Sequence, residues 1–181
     1  YLSRVRSERE AVELVHGSLD QLPPGRWLLA VSGGRDSMAL LAAMHRCRPG
    51  EIAAVATFDH GTGSDATRAS SLVSEQAAAL GLQLLKGGAP LGTPATEAHW
   101  RAVRWRFLLD GGRLTGSTVL TAHTRDDQIE TVVIRLLRGS GARGLAGMAE
   151  VDPLRSIRRP LLGVGRAELA AYARARGVSW V

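Results

Sequence analysis

Cysteine occurs once, at Cys47, so the chain cannot assemble an intramolecular disulfide or a Cys-x-x-Cys redox or zinc site. A lone thiol reads as a buried structural residue in a reducing compartment, which makes a cytoplasmic location the expectation. Lysine is nearly missing as well: of 23 basic residues, all but Lys86 are arginine. No apolar run approaches the roughly 20 residues that a bilayer-crossing helix needs. The opening stretch, Tyr1-Leu2-Ser3-Arg4-Val5-Arg6, lacks the apolar core and small-residue cleavage site of a secretory signal.

What is present fits one globular domain. The 181 residues are enough to bury a single core, and 45% hydrophobic with 22% charged residues is an ordinary balance for a soluble protein. The formal charge is +6, with a pI near 10.8. Arginine's planar fork grips phosphates through paired N–H groups, which suits nucleotide or RNA partners. A GC-rich genome also raises arginine and alanine, so charge alone only permits nucleic-acid binding.

Apolar spacing predicts a helix from Arg4 to Leu19, ended by Pro23-Pro24-Gly25. Trp27 to Val31 reads as a buried strand, followed by a glycine turn and a helix from Met38 to His45. Ile52–Phe58 and Gln83–Lys86 read as the second and third strands, with a helix from Ser70 to Leu80 between them. After the Gly/Pro-rich stretch from Gly88 to Pro94, Thr93 and Pro94 are expected to start a helix that runs to about Leu114. Thr118 to Ala122 is a fourth strand and Arg125 to Leu137 a helix. Past the glycine-rich stretch from Gly139 to Gly147, Ser156 to Arg159 is a fifth strand and Arg166 to Arg176 a last helix. Strands that are continuously apolar and alternate with helices argue for an α/β fold: a five-stranded, twisted parallel sheet covered on both faces.

The first strand leads into Ser32-Gly33-Gly34-Arg35-Asp36-Ser37. A glycine turn between a strand and a helix presents backbone N–H groups to an anion, and the helix dipole adds to the attraction. The same residues would also serve an ordinary strand–helix turn, with Asp36 or Ser37 as the helix cap. The GxxxxGK[ST] and GxGxxG patterns are both absent. The full string resembles the PP-loop of the N-type ATP pyrophosphatases, which have an adenine nucleotide alpha hydrolase-like fold. In that superfamily the loop holds the pyrophosphate released when ATP is cut between its α and β phosphates. Beside phosphates, Asp36 makes sense as a ligand of Mg²⁺.

A second string follows the fourth strand: Thr121-Ala122-His123-Thr124-Arg125-Asp126-Asp127-Gln128-Ile129-Glu130-Thr131, then Arg135-Leu136-Leu137-Arg138-Gly139-Ser140-Gly141. With Asp59-His60-Gly61, Glu97-x-x-x-Arg101-x-x-Arg104-Trp105, Arg159-Pro160-Leu161-Leu162 and Arg166-x-Glu168-Leu169, it closely resembles the signature of the tRNA(Ile)-lysidine synthetases. The matches run in the family's order from Trp27 to Val181. Two departures stand out: Thr62-Gly63 replaces the family's Leu-Arg, and the acidic Glu-Asp-Pro-Ser-Asn continuation beyond Val181 is not part of this sequence.

Each string also has an ordinary structural reading. Thr124 would cap its helix with Asp126 and Asp127 favourable in the first turn, and Glu97 with Arg101 would form a solvated i,i+4 pair. Zinc at His123, Asp127 and Glu130 lacks a second histidine or a cysteine.

The resemblance implies that residues 1–181 form the catalytic PP-loop domain of a ligase, the C-terminal tRNA-binding region lying outside them. ATP would sit on Ala30, Ser32, Gly33, Gly34, Arg35, Asp36 and Ser37, with Phe58 and His60 near the adenine. Asp36 and Asp127 would hold Mg²⁺. Catalysis would fall to Asp36, Arg104, Asp127 and Glu130. Glu97, Arg101, His123, Asp126, Arg135, Arg138 and Arg159 would meet lysine or a tRNA(Ile) with a CAU anticodon. A homodimer would fit the family, though no residue pattern specifies one. The rivals are another tRNA-modifying PP-loop enzyme, such as a base thiolase, and a non-catalytic ATP- or tRNA-binding module. The two-thiocytidine type of thiolase needs paired cysteines, and a single cysteine argues against it.

Overall fold

The computed structural model describes residues 7–59, 61, 63–88, 96–139, 141 and 145–181. The elements in chain order are α1 (Glu8–Asp20), β1 (Trp27–Ala30), α2 (Arg35–Cys47), β2 (Ile52–Asp59), α3 (Ser64–Ala79), β3 (Leu84–Gly88), α4 (Glu97–Thr115), β4 (Thr118–Leu120), α5 (Arg125–Leu137), β5 (Val151–Asp152), β6 (Ile157–Arg158) and α6 (Arg166–Ala175).

The sheet has six strands in the order β3-β2-β1-β4-β6-β5, not the five expected. The first five in that order run parallel, while β5 pairs antiparallel with β6, with Val151 opposite Arg158. A two-residue strand is too short to show a period. Its hairpin is built from a turn in which Arg155 N donates to Asp152 Oδ1 (3.2 Å) and Ser156 takes a positive φ of 52°.

Alternation along β1 divides the core. Trp27, Leu29 and Val31 pack with Val15, Met38, Val73, Leu169 and Tyr172, from α1, α2, α3 and α6. Leu28 faces the other way, among Ala54, Ala56, Leu108, Val119 and Ile157, under α4. The helices therefore cover both faces, as expected of a buried parallel sheet. Between β1 and β4 the chain order reverses, and this is where open α/β sheets place ligands, at the carboxyl ends of the strands.

Helix starts were the least legible feature. Helix α2 begins at Arg35 rather than Met38, and α3 at Ser64 rather than Ser70. Helix α4 is capped by Thr96, whose side chain accepts from His99 N (3.3 Å). The Thr93–Pro94 start expected from the sequence lies outside the described residues. Helices α2 and α3 follow Gly34 and Gly63 with no side-chain cap bond, so no capping side chain marked either start. Among the described residues, no helix is long and apolar enough to cross a membrane.

Candidate functional site

The glycine turn leaves β1 at Ala30 and enters α2 at Arg35. Gly33 has φ 86°, and a Cβ there would lie 2.7 Å from the Ala69 backbone oxygen, so the turn admits no side chain. Neither Asp36 nor Ser37 caps α2: the cap is Gly34, with no side-chain bond. Ser37 Oγ instead donates to Gly34 O (2.8 Å) and accepts from Ser32 N (3.1 Å), which fastens the turn internally. Asp36 is thereby left to face the site, with Arg35 Nε donating to its Oδ1 (3.0 Å). The N–H groups of the first turn of α2 have no helical acceptor, which suits the helix start to an anion.

A cavity of about 300 Å³ opens beside this turn. Ala30, Ser32, Asp36 and Ser37 line it from β1 and α2, Phe58 from β2, Arg104 and Trp105 from α4, and His123 from beyond β4. Phe58 is steadied by Phe107, their ring centres 5.6 Å apart. His60 lies outside the described residues. The Nε of Arg104 is buried without a partner among the described residues. Burial, with Arg101 nearby, pushes the Arg104 guanidinium below its usual pKa. A buried donor of this kind is satisfied when an anion enters.

Across the switch point, α5 opens with a reciprocal cap. Thr124 Oγ1 accepts from Asp127 N (3.4 Å), while Asp127 Oδ2 accepts from Thr124 N (2.7 Å) and Thr124 Oγ1 (2.8 Å). The ordinary reading of Thr124 is therefore correct, and it coexists with a second contact: Asp127 Oδ1 accepts from Arg166 Nη2 at 2.7 Å. Burial pushes the Asp127 carboxyl upward, but the Thr124 and Arg166 bonds outweigh it and hold the group below its usual value. The same guanidinium donates to Glu130 Oε1 (3.1 Å) and lies 3.8 Å from Asp36. One cation thus brings Asp36, Asp127 and Glu130 to a common point. Asp126 turns elsewhere, its Oδ2 accepting from Arg166 N at the start of α6 (2.7 Å).

Two signature residues have structural work that the sequence reading missed. Gln128 bonds both ways with Met148, donating to its O (2.9 Å) and accepting from its N (2.6 Å). Glu168, buried at the start of α6, pairs with Arg125 (3.3 Å) across Gly165, where a side chain would collide with both. Their spacing, 43 residues apart in the case of Arg125 and Glu168, gave no local signal.

His123 Nδ1 bonds with Thr121 Oγ1 (2.7 Å), and burial together with Arg159 lowers its pKa to about 4. The ring is therefore neutral at neutral pH. His123 and Trp105 also line a second cavity, of about 540 Å³, which gathers Arg101, Arg135 and Arg159. Glu97 opens α4, and Arg138 is the exposed C-cap of α5, lining neither cavity. No group of three or more His, Cys, Asp or Glu residues forms a metal cage among the described residues. Asp36, on the wall of the first cavity, and Asp127, joined to it through Arg166, nonetheless suit Mg²⁺, which would take its other ligands from phosphates and water.

A parallel sheet with a glycine turn and a carboxylate-bearing turn facing each other across its switch point defines a nucleotide-binding α/β protein. The chain belongs to the PP-loop domain family, which matches residues 4–181. It is 40% identical over 182 residues to tRNA(Ile)-lysidine synthase of Ruegeria pomeroyi, covering 95% of this chain and 43% of that protein. Likewise it is 40% identical over 180 residues to tRNA(Ile)-lysidine synthase of Salinispora tropica, covering 92% and 53%. The chain spans about half the length of the curated relatives it matches.

Among solved structures, a U34-tRNA thiolase from Methanococcus maripaludis superposes with a TM-score of 0.74 at 14% identity, covering 96% of this chain and 65% of that one. An NH3-dependent NAD synthetase from Campylobacter jejuni superposes with a TM-score of 0.58 at 14% identity, covering 94% and 72%. At such identities these two likenesses establish the fold alone.

Proposed function

We propose that this chain is the ATP-cleaving, catalytic part of a tRNA(Ile)-lysidine synthase. The observation that carries the reading is the meeting of Asp36, from the glycine turn, with Asp127 and Glu130, from the opposite turn, around one guanidinium beside the first cavity.

In this reading ATP lies in the first cavity, adenine near Ala30 and Phe58, with its β and γ phosphates on the backbone of Ser32–Ser37. The O2 of the wobble cytidine in a CAU anticodon attacks the α-phosphorus, and the bond to the bridging oxygen breaks as pyrophosphate leaves. The lysine amine then attacks C2 of the activated base, and AMP departs with the O2 oxygen. Arg104 and the N–H groups of the turn stabilise charge on the departing pyrophosphate. Asp36 and Asp127 would hold Mg²⁺, which would supply further neutralisation. Asp127 and Glu130 form the acidic surface that receives the lysine ammonium, with Glu130 positioned to take its proton.

The reading implies cytoplasmic location, where unmodified tRNA is available. A second copy of the chain would cover the apolar face of α5 that no described residue covers, where Ile129, Leu136 and Leu137 are 56%, 59% and 81% exposed.

The decisive assay is AMP release from labelled ATP with Mg²⁺, lysine and unmodified tRNA(Ile), omitting each in turn. AMP formation that requires both tRNA and lysine supports the reading. AMP release indifferent to lysine sinks it.

A further inference from the structure

A third cavity, of about 420 Å³, opens between α2, α3 and α6 and shares no lining residue with the two above. Two of the residues that line it carry unsatisfied polar atoms. Tyr172 is fully buried, yet its hydroxyl has no partner among the described residues, and His45 Nδ1 is likewise buried and unpartnered. A buried hydroxyl without an acceptor is costly, so what this wall lacks is an acceptor from a ligand. Burial, with Cys47 nearby, pushes the Tyr172 hydroxyl up to about 12 against the pull of Arg176 and Arg46, so it stays protonated and able to donate. Arg46 and Arg176 line the same cavity. Arginines in the last turn of α2 and at the end of α6 suit the carbonyl ends of those helices. Neither side chain, however, makes a hydrogen bond or ion pair among the described residues. Both also lower the pKa of His16, after burial, and the carboxylate that opposes them there is Asp20. Met38 and Leu41 from α2, with Leu80 at the end of α3, supply an apolar stretch of the wall.

We propose that this third cavity binds a phosphomonoester. Its phosphate lies between Arg46 and Arg176, with Tyr172 and His45 donating to its oxygens, and its organic part rests on Met38, Leu41 and Leu80. Guanidinium groups match phosphate oxygens with paired N–H donors, and His45 can carry its proton on Nδ1 as one of its two neutral tautomers. A monoester suits the site better than the phosphodiester of an RNA chain. The terminal group of a monoester can enter a cavity and reach a fully buried hydroxyl, whereas a diester must leave on both sides. None of Arg46, Tyr172 and Arg176 belongs to the strings that resemble a known signature. The occupant would rest on α2, the helix whose first turn carries Asp36, at a place remote from the ATP cavity. The proposal stands on this cavity alone and goes beyond the reading under Proposed function.

The test is equilibrium dialysis of labelled inorganic phosphate and of phenyl phosphate against the 181-residue chain, with a saturating non-hydrolysable ATP analogue present. Phosphate should bind with a dissociation constant below about 1 mM, and phenyl phosphate more tightly, because its ring covers the apolar stretch. Arg46→Gln and Arg176→Gln should each weaken both ligands about tenfold. Tyr172→Phe should weaken them roughly fivefold. Without phosphate, Tyr172→Phe should melt at or above the wild-type temperature, since the hydroxyl it removes has no partner. Unchanged melting of the two arginine variants reports intact folding. A wild-type chain that binds neither ligand, or full binding in the Arg46→Gln/Arg176→Gln double variant, overturns the site. Displacement of phosphate by a short RNA without terminal phosphates, but not by phenyl phosphate, overturns the monoester assignment. A lower melting temperature in Tyr172→Phe would show that the hydroxyl is already satisfied and overturns its part in the site.

Discussion

Arg166 Nη2 donates to Asp127 Oδ1 across 2.7 Å, so the last helix closes directly onto the carboxylate at the start of α5. The Arg166 side chain is 40% exposed, and solvent screens the pair, so Arg166→Ala should cost less than about 1 kcal/mol in a denaturant melt. AMP formation should nevertheless fall at least tenfold, because Asp36, Asp127 and Glu130 lose the cation that gathers them. Wild-type turnover in this variant would remove Arg166 from any role at the site.

Thr124 is fully buried and caps α5 through its exchange with Asp127. Thr124→Val removes the acceptor while keeping the shape, and should destabilise the chain by about 1–2 kcal/mol. Thr124→Ser should recover most of that stability. If valine melts like the wild type, the reciprocal cap contributes nothing.

The two glycines of the turn should respond oppositely. Gly33→Ala places a Cβ 2.7 Å from the Ala69 backbone oxygen at a positive φ, so the turn must shift and ATP binding should weaken at least tenfold. A Cβ on Gly34 meets only Ser32 Oγ, at 3.6 Å, and its φ of −73° suits any residue. Gly34→Ala should therefore bind ATP within about threefold of wild type. Equal losses at both positions, read by isothermal titration, would contradict this account.

His123 links stability to pH. Burial and Arg159 hold its folded pKa at about 4, below the ordinary value of 6.5. The unfolded chain therefore takes up a proton first as pH falls, so the contribution is whole above about 6.5 and is lost on descending towards 4. Wild type should lose stability more steeply than His123→Gln between pH 7 and 4.5, the gap reaching at most about 3 kcal/mol. Parallel curves would show that the imidazole titrates alike in both states.

Much of the fold was legible because its signals are local. Trp27–Val31 is an unbroken apolar run and Ile52–Phe58 is broken only by Thr57, the composition expected of strands buried on both faces. The turn between them was equally readable, since Gly33 serves a conformation that few other residues adopt. The antiparallel β5 was missed, because Val151–Asp152 is too short for any period and owes its existence to β6.

By itself, then, the amino-acid sequence determined the alternation of strands and helices, the glycine turn and the identity of the charged groups near it. These depend on backbone sterics and on apolar spacing, which act over a few residues. Only the tertiary structure decided how those groups are shared out. Asp127 both caps a helix and meets Arg166, Asp126 is drawn to the start of α6, and Arg101, Arg135, Arg155 and Arg159 gather in a second cavity that Asp36 does not line. That partition arises from contacts between segments some 40 residues apart, as with Arg166 and Asp126, and no local pattern encodes which carboxylate a distant guanidinium will reach.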